Sequence, residues 1–292
     1  MPRPRSRHRV AGGRSTCQNR RAFPRSRRIG YARRFPALPC RMSNPLRLFA
    51  TAATFLTRLP FARLSYAEPA RLAQAAPYFV LVGALVAAIA AFAAWVSLHL
   101  LPPSLAPWVA LTTAIVLTGG FHEDGLADTA DGLGGGFTLE RKLEIMRDSR
   151  IGSYAALALA TVLGGKYLAL ASLSPSQLFV ALWLGHILAR WSVLPLAAML
   201  GYARDGQATN KPVADGIGWA QVAAGTLLVF VLIAPFGRLA LLAALISAAV
   251  VLLAGLYFRA QLGGITGDTL GAANQIVELA CYLVCAGAQR WI

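Results

Sequence analysis

Four carboxylates fall within nine residues of the 292-residue chain: Glu123, Asp124, Asp128 and Asp131, a third of its twelve acidic residues. They follow directly on a long apolar run and are interspersed with Gly125 and Gly132. If the stretch is helical, Asp124, Asp128 and Asp131 stand at i, i+4 and i+7, within an arc of about 60°. Like charges stacked in this way repel and weaken a helix, and bound cations would offset the repulsion. Oxygen-only ligands point to Mg²⁺, Mn²⁺ or Ca²⁺ rather than zinc. Arg147, Asp148 and Arg150 follow closely in sequence, and a glycine-rich segment at 263–271 contains Thr266 and Asp268. Carboxylate-held Mg²⁺ beside arginine is a kit for phosphate esters. The metal neutralises phosphoryl oxygens, and Arg pairs with them bidentately. Glycine-rich backbone can bring N–H groups close to a phosphate. No Ser/His/Asp or Cys/His nucleophile arrangement is present, and Cys17, Cys40, Cys281 and Cys285 have no zinc spacing.

The elements that carry these residues are membrane elements. The chain is 57% hydrophobic, 14% charged and has a mean hydropathy of +0.55. That composition predicts an all-α polytopic integral membrane protein with about six to eight transmembrane helices. Seven apolar stretches approach spanning length, at about 78–101, 104–121, 153–173, 178–201, 217–236, 239–258 and 270–289. Residues 133–152 read as a glycine-rich loop and a short charged helix. Residues 46–61 read as an interfacial or re-entrant amphipathic helix. Cys281 and Cys285, one helical turn apart, read as packing residues.

The net charge of +16 is not a nucleic-acid signal, because it is concentrated in one tail. Residues 1–42 hold thirteen Arg and no acid, whereas the rest carries fifteen Lys and Arg against twelve acids. Residues 1–41 read as a disordered basic extension upstream of a working start at Met42. A transit peptide and an anionic-surface arm are the competing readings. Residues 42–292 read as one membrane-embedded domain. Placing 59–71, 122–152, 202–216 and 259–269 on the cytoplasmic side puts nine basic residues there, against Arg238 and Arg290 opposite, as the positive-inside rule requires. Eleven of the twelve acids fall on the same side, so this face is expected to be the catalytic one. Tyr202–Gly206 adds a weaker fourth segment there. Within the spans, Lys166, His186, Arg190 and Glu278 are ionisable and therefore functional suspects. An Arg190–Glu278 pair is the structural alternative.

Several segments together carry a resemblance. HEDGLADTADG at 122–132, RDSRIGSY at 147–154 and LGGITGDTLGA at 262–272 resemble the cobalamin-5′-phosphate synthase family, the adenosylcobinamide-GDP ribazoletransferases. FLTRLPF at 55–61 is similar to that family's opening. The resemblance runs from about Met42 to the C-terminus. Asn274-Gln275 stands where an acidic residue is expected; Glu278 is a candidate to serve in its place, and the sequence leaves that open. The resemblance implies a Mg²⁺-dependent transferase of the bacterial inner membrane. It would join adenosylcobinamide-GDP to α-ribazole or its 5′-phosphate and release GMP. It also implies roles for the residues. Glu123, Asp124, Asp128 and Asp131 would hold the metal, one of them also accepting the hydroxyl proton. Arg147 and Arg150 would stabilise phosphoryl charge, with Asp148 orienting an arginine or completing the metal shell. Gly264, Thr266, Gly267, Asp268 and Lys166 would bind cofactor or substrate groups. The partners implied are the two small molecules and the lipid bilayer, with no nucleic acid and a homo-oligomer allowed. The alternatives are a CDP-alcohol-type phospholipid phosphotransferase and a divalent-cation transporter. The one-sided clustering of the acids argues against transport, whose coupling sites lie near the midplane.

Overall fold

The computed structural model describes residues 44–66, 70–203 and 216–288. The expected start at Met42, the basic extension and most of the weaker fourth segment, Arg204 to Gly206, lie outside them. The described residues form helices α1 (Pro45–Leu56), α2 (Ala70–Ala75), α3 (Phe79–Leu100), α4 (Ala106–Thr118), α5 (Phe121–Gly135), α6 (Leu139–Ile145), α7 (Ser153–Ala171), α8 (Pro175–Met199), α9 (Trp219–Ile233), α10 (Gly237–Leu262) and α11 (Gly267–Ala288). No strand is present among them. Five helical runs are long and apolar enough to cross a membrane, or six if the bent pair α4–α5 counts as one. One run, Trp219–Leu262, spans 44 residues and is interrupted by a 3-10 turn at Ala234–Phe236. That is length for two crossings at about 20 residues each. The protein is a polytopic all-α membrane protein.

Two helices lie inside and the others around them. The apolar windows of α8 and α11 are 78% and 61% buried, whereas those of α7 and of the 44-residue run are 28% buried. An apolar helix with most of its residues outside the protein interior has no aqueous alternative to lipid. Two tryptophans on α8 fix its contact with α9, each satisfying its indole N–H. Trp183 Nε1 donates to the Leu232 carbonyl at 3.0 Å and Trp191 Nε1 to Thr226 Oγ1 at 2.8 Å.

The second expected span, 104–121, is not a straight crossing. Helix α4 ends at Thr118, and α5 leaves it at 88°. Gly119 and Gly120 both adopt left-handed backbone, with φ of 71° and 72°, which costs a residue bearing a Cβ about 1–2 kcal/mol. Their N–H groups still donate to the Ile115 and Val116 carbonyls, so the helix end is satisfied within the bend. Hydropathy does not register φ, and the break follows from the glycine pair. Part of the expected loop after residue 132 is helical too, since α5 continues to Gly135.

A buried ionic cluster joins α7, α8 and α11. Glu278 on α11 accepts from Arg190 Nη1 at 3.1 Å and from the Tyr282 hydroxyl at 3.0 Å, and lies 3.0 Å from Lys166 Nζ and 3.3 Å from His186 Nδ1. Arg190 Nη1 also meets His186 Nδ1 at 3.0 Å. The expected Arg190–Glu278 pair is therefore present, with Lys166 added to it. All four ionisable side chains are at most 3% exposed. From Lys166 Nζ the chain of bonds runs on to Gln275 Oε1 at 2.6 Å, and from Gln275 Nε2 to Glu123 Oε1 at 3.1 Å. The core network thus reaches α5. Cys281 and Cys285 are free and buried, as packing residues.

Helix α5 is held against α11 at a crossing of backbones. A Cβ on Gly125 would lie 2.8 Å from the Asp268 carbonyl oxygen and 3.2 Å from the Gly271 Cα. Bare glycines let two helices approach this closely.

Two outcomes follow for stability. Glu278→Ala, which leaves Lys166 and Arg190 buried without their shared carboxylate, is expected to lose about 3–5 kcal/mol, read as a fall in thermal unfolding temperature in detergent. Gly125→Val should cost about 1–3 kcal/mol by overpacking against backbone, with increased protease sensitivity between α4 and α6.

Candidate active site

The α5 sequence places its carboxylates as the i, i+4, i+7 spacing requires. Glu123, Asp124, Asp128 and Asp131 all line one cavity of about 230 Å³. Gly120 of the bend contributes at one end, and Ser149, Arg150 and Ile151 of the turn between α6 and α7 contribute across from it. The helix has a second face. Leu126, Thr129, Ala130 and Leu133 line a separate apolar groove of about 610 Å³ against α10 and α11. Polar and apolar chemistry are therefore divided along one helix.

The four acids have different surroundings. Asp131 is buried, and both its oxygens accept backbone N–H groups at the start of α7: Gly152 N–H at 2.6 Å and Ala155 N–H at 2.9 Å. These are otherwise orphaned donors of a 19-residue helix, and the positive end of its dipole favours an anion there. A Cβ on Gly152 would lie 2.5 Å from Asp131 Oδ1, so that approach needs glycine. Part of the repulsion along α5 is therefore offset by a helix terminus. Glu123 turns toward the core, accepting from Gln275 through Oε1. It lies inside the helix, which starts at Phe121. Asp124 is exposed and Asp128 partly so, one turn apart at the cavity. Among the described residues, no three His, Cys, Asp or Glu side chains group into a ready-made metal cage.

Across the cavity, Asp148 pairs with Arg150. Arg150 Nε lies 3.0 Å from both Asp148 oxygens, and the Arg150 N–H donates to Oδ1 at 3.1 Å. The side-chain bonds first, and then the backbone bond, lower the Asp148 carboxyl to about 2, while the pairing raises Arg150 further. The pair stays ionised throughout the neutral range. Nη2 also points at Asp148, which leaves Nη1 for another oxygen. Arg147 is exposed on the preceding turn and does not line the cavity.

The 263–271 segment is brought to α5 but not into the cavity. Gly263 ends α10 in left-handed backbone with φ of 68°. Gly264 packs where Ile265 pairs with Tyr202, and a Cβ there would lie 2.8 Å from the Ala203 nitrogen. Thr266 and Thr269 cap α11 reciprocally, Thr266 N–H donating to Thr269 Oγ1 at 2.8 Å and Thr269 N–H to Thr266 Oγ1 at 3.1 Å. This is a capping box with threonine in the acidic position. Gly267 opens the helix, and Asp268 lies in its first turn at the Gly125 crossing. Lys166 sits in the ionic cluster, beside a second, very small cavity that Glu123 also lines. Sequence reasoning missed Gln275 as the bridge between Lys166 and Glu123. Its signal was an amide in an apolar span, at the position where an acid was expected.

The cobalamin-5-phosphate synthase family model matches residues 48–286. The chain is 43% identical over 246 residues to the adenosylcobinamide-GDP ribazoletransferase of Shewanella piezotolerans (strain WP3 / JCM 13877), covering 82% of this chain and 94% of that one. The enzyme of the same name from Shewanella halifaxensis (strain HAW-EB4) is 44% identical over 252 residues, with the same coverage. That from Shewanella frigidimarina (strain NCIMB 400) is 43% identical over 247 residues, again at 82% and 94%. No solved structure matches. The matched span contains the acidic helix, the arginine turn facing it and the α11 crossing that holds them together, and the chain belongs to the cobalamin-5-phosphate synthase family.

Proposed function

We propose that this chain is an adenosylcobinamide-GDP ribazoletransferase acting in the last assembly stage of cobalamin. One observation carries the reading: the α5 carboxylates and Arg150 line one cavity, which gathers the acidic helix and the arginine turn at a single place. The α-ribazole hydroxyl oxygen forms the new bond at the phosphorus on the cobinamide side. The bond to GMP breaks, and the hydroxyl proton passes to an α5 carboxylate. Arg150, steadied by Asp148, turns Nη1 to a phosphoryl oxygen.

Mg²⁺ fits the residues present. It takes one or two carboxylates together with water and substrate phosphate oxygens rather than a closed protein cage. Asp124 and Asp128, one turn apart at the cavity, are that pair. When bound, the ion supplies positive charge to the phosphoryl oxygens. The positive-inside asymmetry supports a cytoplasmic active face, and the family resemblance supports the bacterial inner membrane.

The reading is tested in reconstituted vesicles. GMP release from adenosylcobinamide-GDP should require both α-ribazole and Mg²⁺ and should stop on chelation; release without α-ribazole would reject it. Asp128→Asn should lower turnover by about 100-fold or more while membrane insertion, followed by fractionation, is unchanged. Asp131→Ala should in addition cost about 1–2 kcal/mol of stability through the lost α7 cap, seen as an earlier melting transition than that of Asp124→Ala.

A further inference from the structure

Arg58 lies between α1 and the start of α2, in a stretch to which no site role has been given. Its position is built rather than incidental. The Arg58 N–H donates to the Leu117 carbonyl at 2.8 Å, in the last turn of α4. Three residues earlier, Phe55 meets Phe121, the first residue of α5, edge to face at 5.7 Å. The segment is thereby clamped to both sides of the 88° bend. The Arg58 side chain then lies over Gly119: a Cβ there would overlap its guanidinium, Nε first. Gly119 is thus bare for two reasons, its positive φ and the arginine that occupies the space. The next residue, Gly120, lines the acidic cavity. Arg58 is exposed, and its side chain forms no hydrogen bond or ion pair with any described residue. An exposed guanidinium packed on Gly119, the neighbour of a residue that lines the four-carboxylate cavity, and paired with none of the four, is poised for a mobile anion. Arg150, the arginine that lines the cavity, is already bound to Asp148.

We propose that Arg58 is a substrate-binding residue of the transferase site, gripping a phosphoryl oxygen of the diphosphate of adenosylcobinamide-GDP from the bend side of the cavity. The assignment rests on the function proposed above and extends it to an element outside the acidic helix and the arginine turn. Its chemistry is the planar fork of the guanidinium, which holds two phosphate oxygens at once and which lysine does not reproduce. The α-ribazole half carries no diphosphate, so Arg58 discriminates between the two substrates.

The test uses the full chain in vesicles, comparing wild type with Arg58→Gln and Arg58→Lys. Equilibrium binding of adenosylcobinamide-GDP is measured with α-ribazole omitted, and KM is measured for each substrate. Arg58→Gln is expected to raise Kd and KM for adenosylcobinamide-GDP by about 10- to 100-fold, leaving KM for α-ribazole within twofold. Arg58→Lys should fall between it and wild type. Values within twofold of wild type for adenosylcobinamide-GDP, in a variant that inserts and melts normally, would overturn the assignment, as would equal increases for both substrates. If Arg58→Gln does not fold, Arg58→Lys decides: a raised Kd supports the assignment and an unchanged one overturns it. Wild type that releases no GMP would instead count against the function on which the assignment rests.

Discussion

The structure depends on one buried carboxylate. Glu278 draws Lys166 from α7 and Arg190 and His186 from α8 onto α11, all in the interior. Ionised groups removed from water need partners of excellent geometry. Here the partners come from three helices, so the requirement is met in one relative arrangement of the three. Apolar packing alone orients helices weakly in lipid, where the tails are as apolar as the side chains. A charged cluster that tolerates one register supplies the specificity packing lacks. Two cationic side chains meet one carboxylate, and the chain of bonds through Gln275 brings in a second, Glu123. The interior and the acidic cavity are thus parts of one hydrogen-bonded system.

The cavity is assembled on that frame from one helix and one turn. Helix α5 carries acids on one side and apolar residues on the other, and each of its ends is fixed differently. The bend holds its start through backbone bonds and the α1 segment. Its far end is held by Asp131, whose oxygens cap α7. A carboxylate placed among catalytic neighbours can therefore serve architecture, and the same spacing that gathers acids toward a cation also hands one of them to a helix terminus.

Much of this was legible in the sequence, for identifiable reasons. Asp124, Asp128 and Asp131 share a face because 3.6-residue periodicity fixes it, and Arg190 with Glu278 had few other partners inside apolar spans. The bend was not legible, because an apolar run broken by two left-handed glycines has the hydropathy of an unbroken one. Nor was the use of Thr266, Gly264 and Gly267, which fit phosphate binding by type. In the fold Thr266 caps α11, Gly267 opens it, and Gly264 packs its approach to Tyr202. Residue type states what a group can do, and the competing demand of an unsatisfied helix end is visible only once the helix is placed. Arg147 and Arg150 look alike in sequence, yet the turn after α6 sends only Arg150 to the cavity.

The contact of Gly125 with Asp268 and Gly271 has a mechanical meaning. Where helices meet through side chains, rotamers yield and small displacements are absorbed. Here main chain meets main chain, with no side chain between to act as a cushion. A sideways shift of α11 of a few tenths of an ångström must therefore move α5 by nearly the same amount. Substitutions on the outer surface of α11, remote from any reacting atom, would then register at Asp124 and Asp128, through stiffness alone.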